Sequence, residues 1–213
     1  GRLLAPPEFL AVAESTGQIL TIGAWALREA CRQMRAWQDE YPRLPDLLLL
    51  VNLSNRQLGR RSLADDVAAV LSETRLPAER LRVEITEKAL ENAETASAAL
   101  ERLRELGVRV PLAAFGTGVA SLAHLDRFPI DALKLDRPLV AALGSGGEAP
   151  VLLRSILAVA RTRGLLAIAE GVETEAQLEA LIAHGCDQAQ GYLLGHPLAP
   201  EAAGALIAES VTL

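Results

Sequence analysis

Side chains able to handle protons or metal ions recur in this chain beside short apolar runs. Asn52 follows the run Leu47–Val51, and Glu84 and Glu87 flank Ile85-Thr86 at the end of the run Leu81–Ile85. Lys134 and Asp136 alternate with leucines in Leu133–Arg137, Glu170 follows Leu165–Ala169, and Gln190 lies in Ala189–Leu193. Gathering several carboxylates costs free energy unless cations or hydrogen bonds compensate. Acidic residues and a lysine at one end of successive runs therefore point to an acidic, metal-related mouth. Each residue alone reads better as a strand-end cap or a solvated loop residue. Thr174 reads as the cap of a helix over Glu175–His184, and Glu173 as solvated. Repetition over five runs is what singles out a site.

The apolar runs themselves are strand candidates. Leu47–Val51 is continuously apolar, as expected of a strand buried on both faces of a parallel sheet. Leu81–Ile85, Val108–Ala114, Ala132–Leu135, Leu165–Ala169 and Ala189–Leu193 complete six such runs. Between them, Ile22–Trp37, Ala93–Leu106 and Val151–Ala160 carry apolar residues at helical spacing. Gly107, Gly164 and Gly185 stand where helices should stop. Alternating strands and helices predict a parallel sheet, closed as a barrel or open and doubly wound. No glycine-rich phosphate loop opens the first helix, which weighs against a dinucleotide fold. Six strands fall two short of an eight-stranded barrel, and a first strand is expected upstream of Gly1. In a barrel the chemistry sits at the C-terminal ends of the strands, where the polar residues above collect. Gly144–Gly147 reads as a surface loop.

The 213 residues suit one domain spanning 1–213, with 50% hydrophobic and 23% charged residues. A net charge of −6 argues against a nucleic-acid partner or an acidic membrane surface held by bulk electrostatics, while leaving room for a small anionic ligand. No run is long enough to insert in a bilayer and no signal peptide is evident, so a cytoplasmic location is expected. Cys31 and Cys186 lack metal-ligand spacing and read as buried free thiols.

Taken together, these segments resemble the EAL domain family from about Pro7 to Leu198. The markers are Pro7-Glu8-Phe9-Leu10 with Ala13-Glu14, Val51-Asn52-Leu53-Ser54, Glu84-Ile85-Thr86-Glu87 and Phe115-Gly116-Thr117-Gly118. They continue with Leu133-Lys134-Leu135-Asp136-Arg137, Ala169-Glu170-Gly171-Val172-Glu173-Thr174 and Gln190-Gly191-Tyr192. The resemblance implies an α/β fold, a TIM-like (β/α) barrel of the EAL type lacking its first strand here. It also implies hydrolysis of cyclic di-GMP to pGpG with Mg²⁺ or Mn²⁺. By the same likeness Asn52, Glu84, Asp136 and Glu170 match metal ligands, Lys134 the water-handling lysine, and Gln190 the final site glutamine. Glu87 matches the glutamate that steadies a regulatory loop, to which Gly116, Thr117 and Gly118 belong.

The departures from the pattern change the expected function. Where the family has two metal-binding aspartates before Phe-Gly-Thr-Gly, this chain has Ala113-Ala114. Alanine offers no oxygen, and a hard divalent cation needs several. Without the metals, the pKa of the attacking water is not lowered from 15.7 toward about 7. Lys134 and Glu170 are thus expected to be vestigial catalytic residues, with Asn52, Glu84, Asp136, Gln190 and His196 left to bind ligand. His196 stands where the family usually has Arg, and Leu194 where it often has Phe. No cofactor is expected, with Mg²⁺ or Mn²⁺ entering only through residual activity. The expected function is a degenerate, inactive EAL module that binds cyclic di-GMP. The alternatives are a protein-interaction scaffold without nucleotide and, against Ala113-Ala114, an active phosphodiesterase. A homodimer, other signalling domains or a partner protein are the expected macromolecular partners.

Overall fold

A computed structural model describes residues 4–42, 47–90, 93–113, 125, 127–143 and 150–211. Ala114, Gly116, Thr117, Gly118 and the Gly144–Gly147 segment lie outside the described residues. Six strands form one sheet: β1 (Leu49–Asn52), β2 (Leu81–Thr86), β3 (Pro111–Ala113), β4 (Ala132–Leu135), β5 (Leu166–Glu170) and β6 (Gln188–Gln190). Every neighbouring pair is parallel, and the spatial order is the chain order. A doubly wound sheet reverses direction at a switch point, so this order selects the barrel alternative.

The sheet is curled into a half-barrel. On a flat sheet β2 and β6 would stand about 19 Å apart, at four strand spacings of about 4.8 Å. Yet the Arg82 guanidinium on β2 donates to Gln188 Oε1 on β6 at 3.0 Å. The two side chains are too short to meet unless the strands bend toward each other. The helical layer also turns back on itself. The final helix, which follows β6, sets Gly204 against Trp37 in the long helix before β1, where an added Cβ would sit 3.2 Å from the indole nitrogen.

The described helices are α1 (Pro6–Thr16), α2 (Ile19–Glu40), α3 (Asn55–Leu58), α4 (Leu63–Thr74) and α5 (Ala93–Glu105). After β4 come α6 (Arg137–Ala141), α7 (Val151–Arg163), α8 (Glu175–Ala183) and α9 (Pro200–Val211). Their apolar stripes cover the outer face of the sheet. Leu81, Val83, Ile85, Leu112, Leu133, Leu135 and Ala169 point there and are fully buried among Leu100, Leu103, Leu153 and Val67. Burying each large side chain stabilises the fold by about 1.5–3 kcal/mol relative to exposure. Gly107, Gly164 and Gly185 have positive φ at the ends of α5, α7 and α8, as their positions predict.

Two aspartates pin the N-terminal ends of the strands in the same way. Asp131, just before β4, accepts the Val110 N–H through Oδ2 at 2.8 Å, and Asp187, just before β6, accepts the Ala167 N–H at 2.8 Å. Each carboxylate satisfies a donor where the ladder begins.

Both cysteines are free, but only Cys31 on α2 is buried, while Cys186 before β6 is half-buried. The expectation of two buried thiols is corrected at Cys186, which sits in the short turn between α8 and β6 and is only partly packed against the core. Burial alone pushes the Cys31 thiol from its ordinary 9.0 to about 11. Thiolate is the reactive form, so Cys31 should resist labelling by a disulfide reagent at pH 8 in native protein and react promptly in denaturant. The same shift means that the unfolded chain ionises first as pH rises above 9.0, so Cys31 subtracts stability progressively up to about pH 11. Replacing Cys31 with Ser should flatten that part of a stability-against-pH curve, as read by urea titration.

Candidate functional site

The register decides which side chains share the barrel interior. Partners in a parallel ladder point the same way, and orientation alternates along each strand. Asn52 pairs with Glu84, Thr86 with Ala113, Leu112 with Leu133, Lys134 with Ile168, and Glu170 with Gln190. Asn52, Glu84, Ala113, Lys134, Glu170 and Gln190 therefore occupy one inner face, toward the C-terminal ends of the strands. The sequence-predicted residues from five runs are brought together.

At the centre lies a buried ion triad. Lys134 Nζ stands 2.7 Å from Glu84 Oε2 and 3.2 Å from Glu170 Oε2. Lys134 is 3% exposed and Glu84 6%, whereas the Glu170 side chain opens to solvent. Burial pushes the Glu84 carboxyl above its usual range; the Lys134 ammonium opposes this shift and Glu170 reinforces it. Ala113, also buried, brings only a methyl group to the inner face, one residue beyond the paired Leu112 and Leu133.

Strand-to-helix turns position the rest. After β1, Ser54 and Gln57 form a reciprocal cap on α3: Gln57 N–H donates to Ser54 Oγ at 3.2 Å and Ser54 N–H to Gln57 Oε1 at 3.1 Å. Thr174 and Gln177 repeat this device at α8, as the cap assigned to Thr174 predicts. Asp136 caps α6, its Oδ1 accepting the Arg137 N–H at 2.8 Å. Glu87 is half-buried and opens the 3₁₀ turn Glu87–Leu90 directly after β2.

Beyond β4 to β6 the mouth widens into a groove of about 410 Å³ between Arg137, Glu170, Gln190, Tyr192 and His196. The Tyr192 and His196 rings stack, with centroids 4.5 Å apart and planes at 24°, yet Tyr192 stays 57% exposed. Arg137 pairs with Glu173, so Glu173 is exposed but ion-paired rather than simply solvated. Gly171, at φ +78°, lets the backbone pass beneath the Arg137 side chain, where a Cβ would come within 2.6 Å of Cγ. The Gln190 carbonyl accepts the Gly171 and Val172 N–H groups at 2.9 and 3.1 Å, tying β5 to β6. Arg137 and Tyr192 were not singled out from the sequence as site residues. Their signal was adjacency: each sits one or two positions beyond a marked polar residue.

The residues present do not fit the two-metal centre that the sequence resemblance implies. Glu84 and Glu170 are committed to Lys134, Asp136 caps a helix, and Ala113 supplies no ligand atom. Among the described residues, no group of three or more His, Cys, Asp or Glu side chains is placed to hold a metal ion.

The EAL domain sequence pattern matches residues 1–197. The chain belongs to the EAL domain family. It is 42% identical over 200 residues to the bifunctional diguanylate cyclase/cyclic di-GMP phosphodiesterase MucR of Pseudomonas aeruginosa, covering 93% of this chain and 29% of MucR. It is 41% identical over 198 residues to the cyclic di-GMP phosphodiesterase NbdA of the same species, covering 92% of this chain and 25% of NbdA. This chain thus spans under a third of the length of these curated relatives. Among solved structures, the PaMucR phosphodiesterase in complex with c-di-GMP superposes with a TM-score of 0.86 at 40% identity, covering 94% of this chain and 87% of that one.

In this EAL domain the β5–β6 junction has no room for a side chain at Gly191, where a Cβ would fall 2.1 Å from the Val172 carbonyl oxygen. Gly191→Ala should cost roughly 1–3 kcal/mol in denaturant unfolding. It should also shift the backbone resonances of Val172 and Gln190, since only separating β5 from β6 relieves the clash.

Proposed function

We propose that this EAL domain binds cyclic di-GMP without cleaving it and without Mg²⁺ or Mn²⁺, serving as a regulatory module in the cytoplasm. The observation that carries the reading is the Lys134 ammonium bridging Glu84 and Glu170 beside the bare methyl group of Ala113. A built-in cation stands among carboxylates that would otherwise need metal ions to offset them. With alanine where the family has its metal-binding aspartates, oxygen ligands needed to hold two cations and lower the pKa of an attacking water are missing, so no hydrolysis is expected.

Binding is helped by the same substitution. Two charges 4 Å apart interact by about 4 kcal/mol at an effective dielectric of 20, before screening. A site one or two carboxylates poorer therefore repels a phosphodiester dianion less. Arg137 offers a guanidinium at the groove, and the Tyr192–His196 stack leaves an exposed aromatic face suited to a guanine base. MucR, the relative solved with c-di-GMP, shares the fold over nearly the whole domain. Asn52, Asp136 and Gln190 complete the proposed ligand-binding set with Glu84 and His196. Homodimerisation, or docking to other signalling domains, would carry the bound state onward.

The test is calorimetric titration of cyclic di-GMP in EDTA and then in Mg²⁺, with pGpG followed alongside. Micromolar binding in EDTA with no pGpG is expected. Heat in neither buffer would leave the scaffold reading, and pGpG formed in Mg²⁺ would restore the phosphodiesterase. Tyr192→Ala should weaken binding by about tenfold, as loss of one base–aromatic stack does. Lys134→Met should destabilise the fold by roughly 3–5 kcal/mol in urea unfolding, because it strands Glu84 as a buried charge.

A further inference from the structure

At the opposite end of the barrel, two arginines share the interior. Arg82 on β2 and Arg109 ahead of β3 form a parallel bridge, so their side chains leave adjacent strands on the same face. Arg82 is 9% exposed, while Arg109 is open to solvent. Among the described residues the Arg82 guanidinium donates one hydrogen bond, to the neutral Gln188 Oε1 at 3.0 Å. Its other guanidinium donors have no protein partner among the described residues. Asp131 is the carboxylate in electrostatic range, and its Oδ2 already accepts the Val110 N–H. Burial and the neighbouring Arg109 both disfavour the charged form of Arg82, and Asp131 only partly offsets them.

Two guanidiniums side by side, one of them nine-tenths buried, outnumber Asp131, the carboxylate in range, and leave a local excess of positive charge at this end of the barrel. We propose that the N-terminal end of the barrel is a second ligand site, which takes a single tetrahedral oxyanion between Arg82 and Arg109. The oxyanion is free phosphate or the terminal phosphate of a nucleotide. Arg82 supplies a fixed fork, already oriented by Gln188, and Arg109 closes over the anion from the solvent side. The site is separate from the Lys134 mouth and does not depend on cyclic di-GMP binding there.

Titration of the domain with inorganic phosphate, against chloride at matched ionic strength, tests this by NMR of side-chain amides. A saturable shift of the Gln188 amide is expected, with the Gln190 amide at the other mouth unmoved. Arg82→Met should weaken phosphate by about tenfold or more. Arg109→Gln changes an exposed residue and decides the matter if Arg82→Met fails to fold; it too should weaken binding. A second arm uses GMP, and tighter binding than phosphate through the same Gln188 shift would assign the site to a nucleotide phosphate. A shift confined to Gln190, a non-saturating change matched by chloride, or affinity untouched by Arg109→Gln would each overturn the proposal.

Discussion

A lysine ammonium held inside the sheet at 3% exposure governs the upper half of this domain. A buried charge persists only when its partners are close and well placed, because desolvation costs several kcal/mol per ion. Glu84 arrives from β2 and Glu170 from β5, on either side of β4, and both reach the same nitrogen. That convergence demands a curled sheet, with the ladder register that puts all three residues on the concave face. Shifting β4 by one residue would turn Lys134 into the apolar helical layer and Leu133 or Leu135 into the mouth. The triad and the outer hydrophobic layer thus specify the same register, one from each face.

The interior is divided into two polar layers of opposite balance. Toward the C-terminal ends, one ammonium faces two carboxylates, and burial holds one of them above its usual range. Toward the N-terminal ends, two guanidiniums face Asp131. Two positions along β2 span the distance between them, from Glu84 to Arg82. The Arg82–Gln188 contact ties β2 to β6 across the concavity, so the lower layer helps to hold the curvature that the upper layer needs.

Much of this was legible in the sequence, because strands of a parallel barrel are covered by helices and read as short apolar runs. All six runs became strands, with ends displaced by up to three residues. Leu47–Val51 starts later, at Leu49, and Val108–Ala114 shortens to Pro111–Ala113, with Arg109 held only by an isolated bridge. The sixth run moves earlier, to Gln188–Gln190, since Gly191 and Tyr192 turn away under Val172. Helices α1, α4 and α9 escaped notice. The first begins on Pro6-Pro7 and the last on Pro200, residues that mark loops unless they occupy a first helical turn. Of the site, the strand-end residues were visible one by one. That Lys134 bridges Glu84 and Glu170 was not, because it depends on register and on reach across β3 to Glu84 on β2. Arg137 was hidden for a related reason: only the glycine conformation at Gly171 makes room for it over the groove.

The alanine at position 113 is consistent with the ion triad. An ammonium can neutralise one neighbouring carboxylate and partly screen a second, but a third at the same level would leave the floor of the mouth strongly negative unless divalent cations joined it. With a methyl group there, Lys134 meets two carboxylates, and burial already favours protonation of one of them. Such a mouth is close to electrically balanced with protein groups alone. A metal-dependent site must instead be held in a repulsive arrangement until its ions arrive. The proposed metal-free binding of an anion rests on that balance, a lysine set between two carboxylates beside a methyl group.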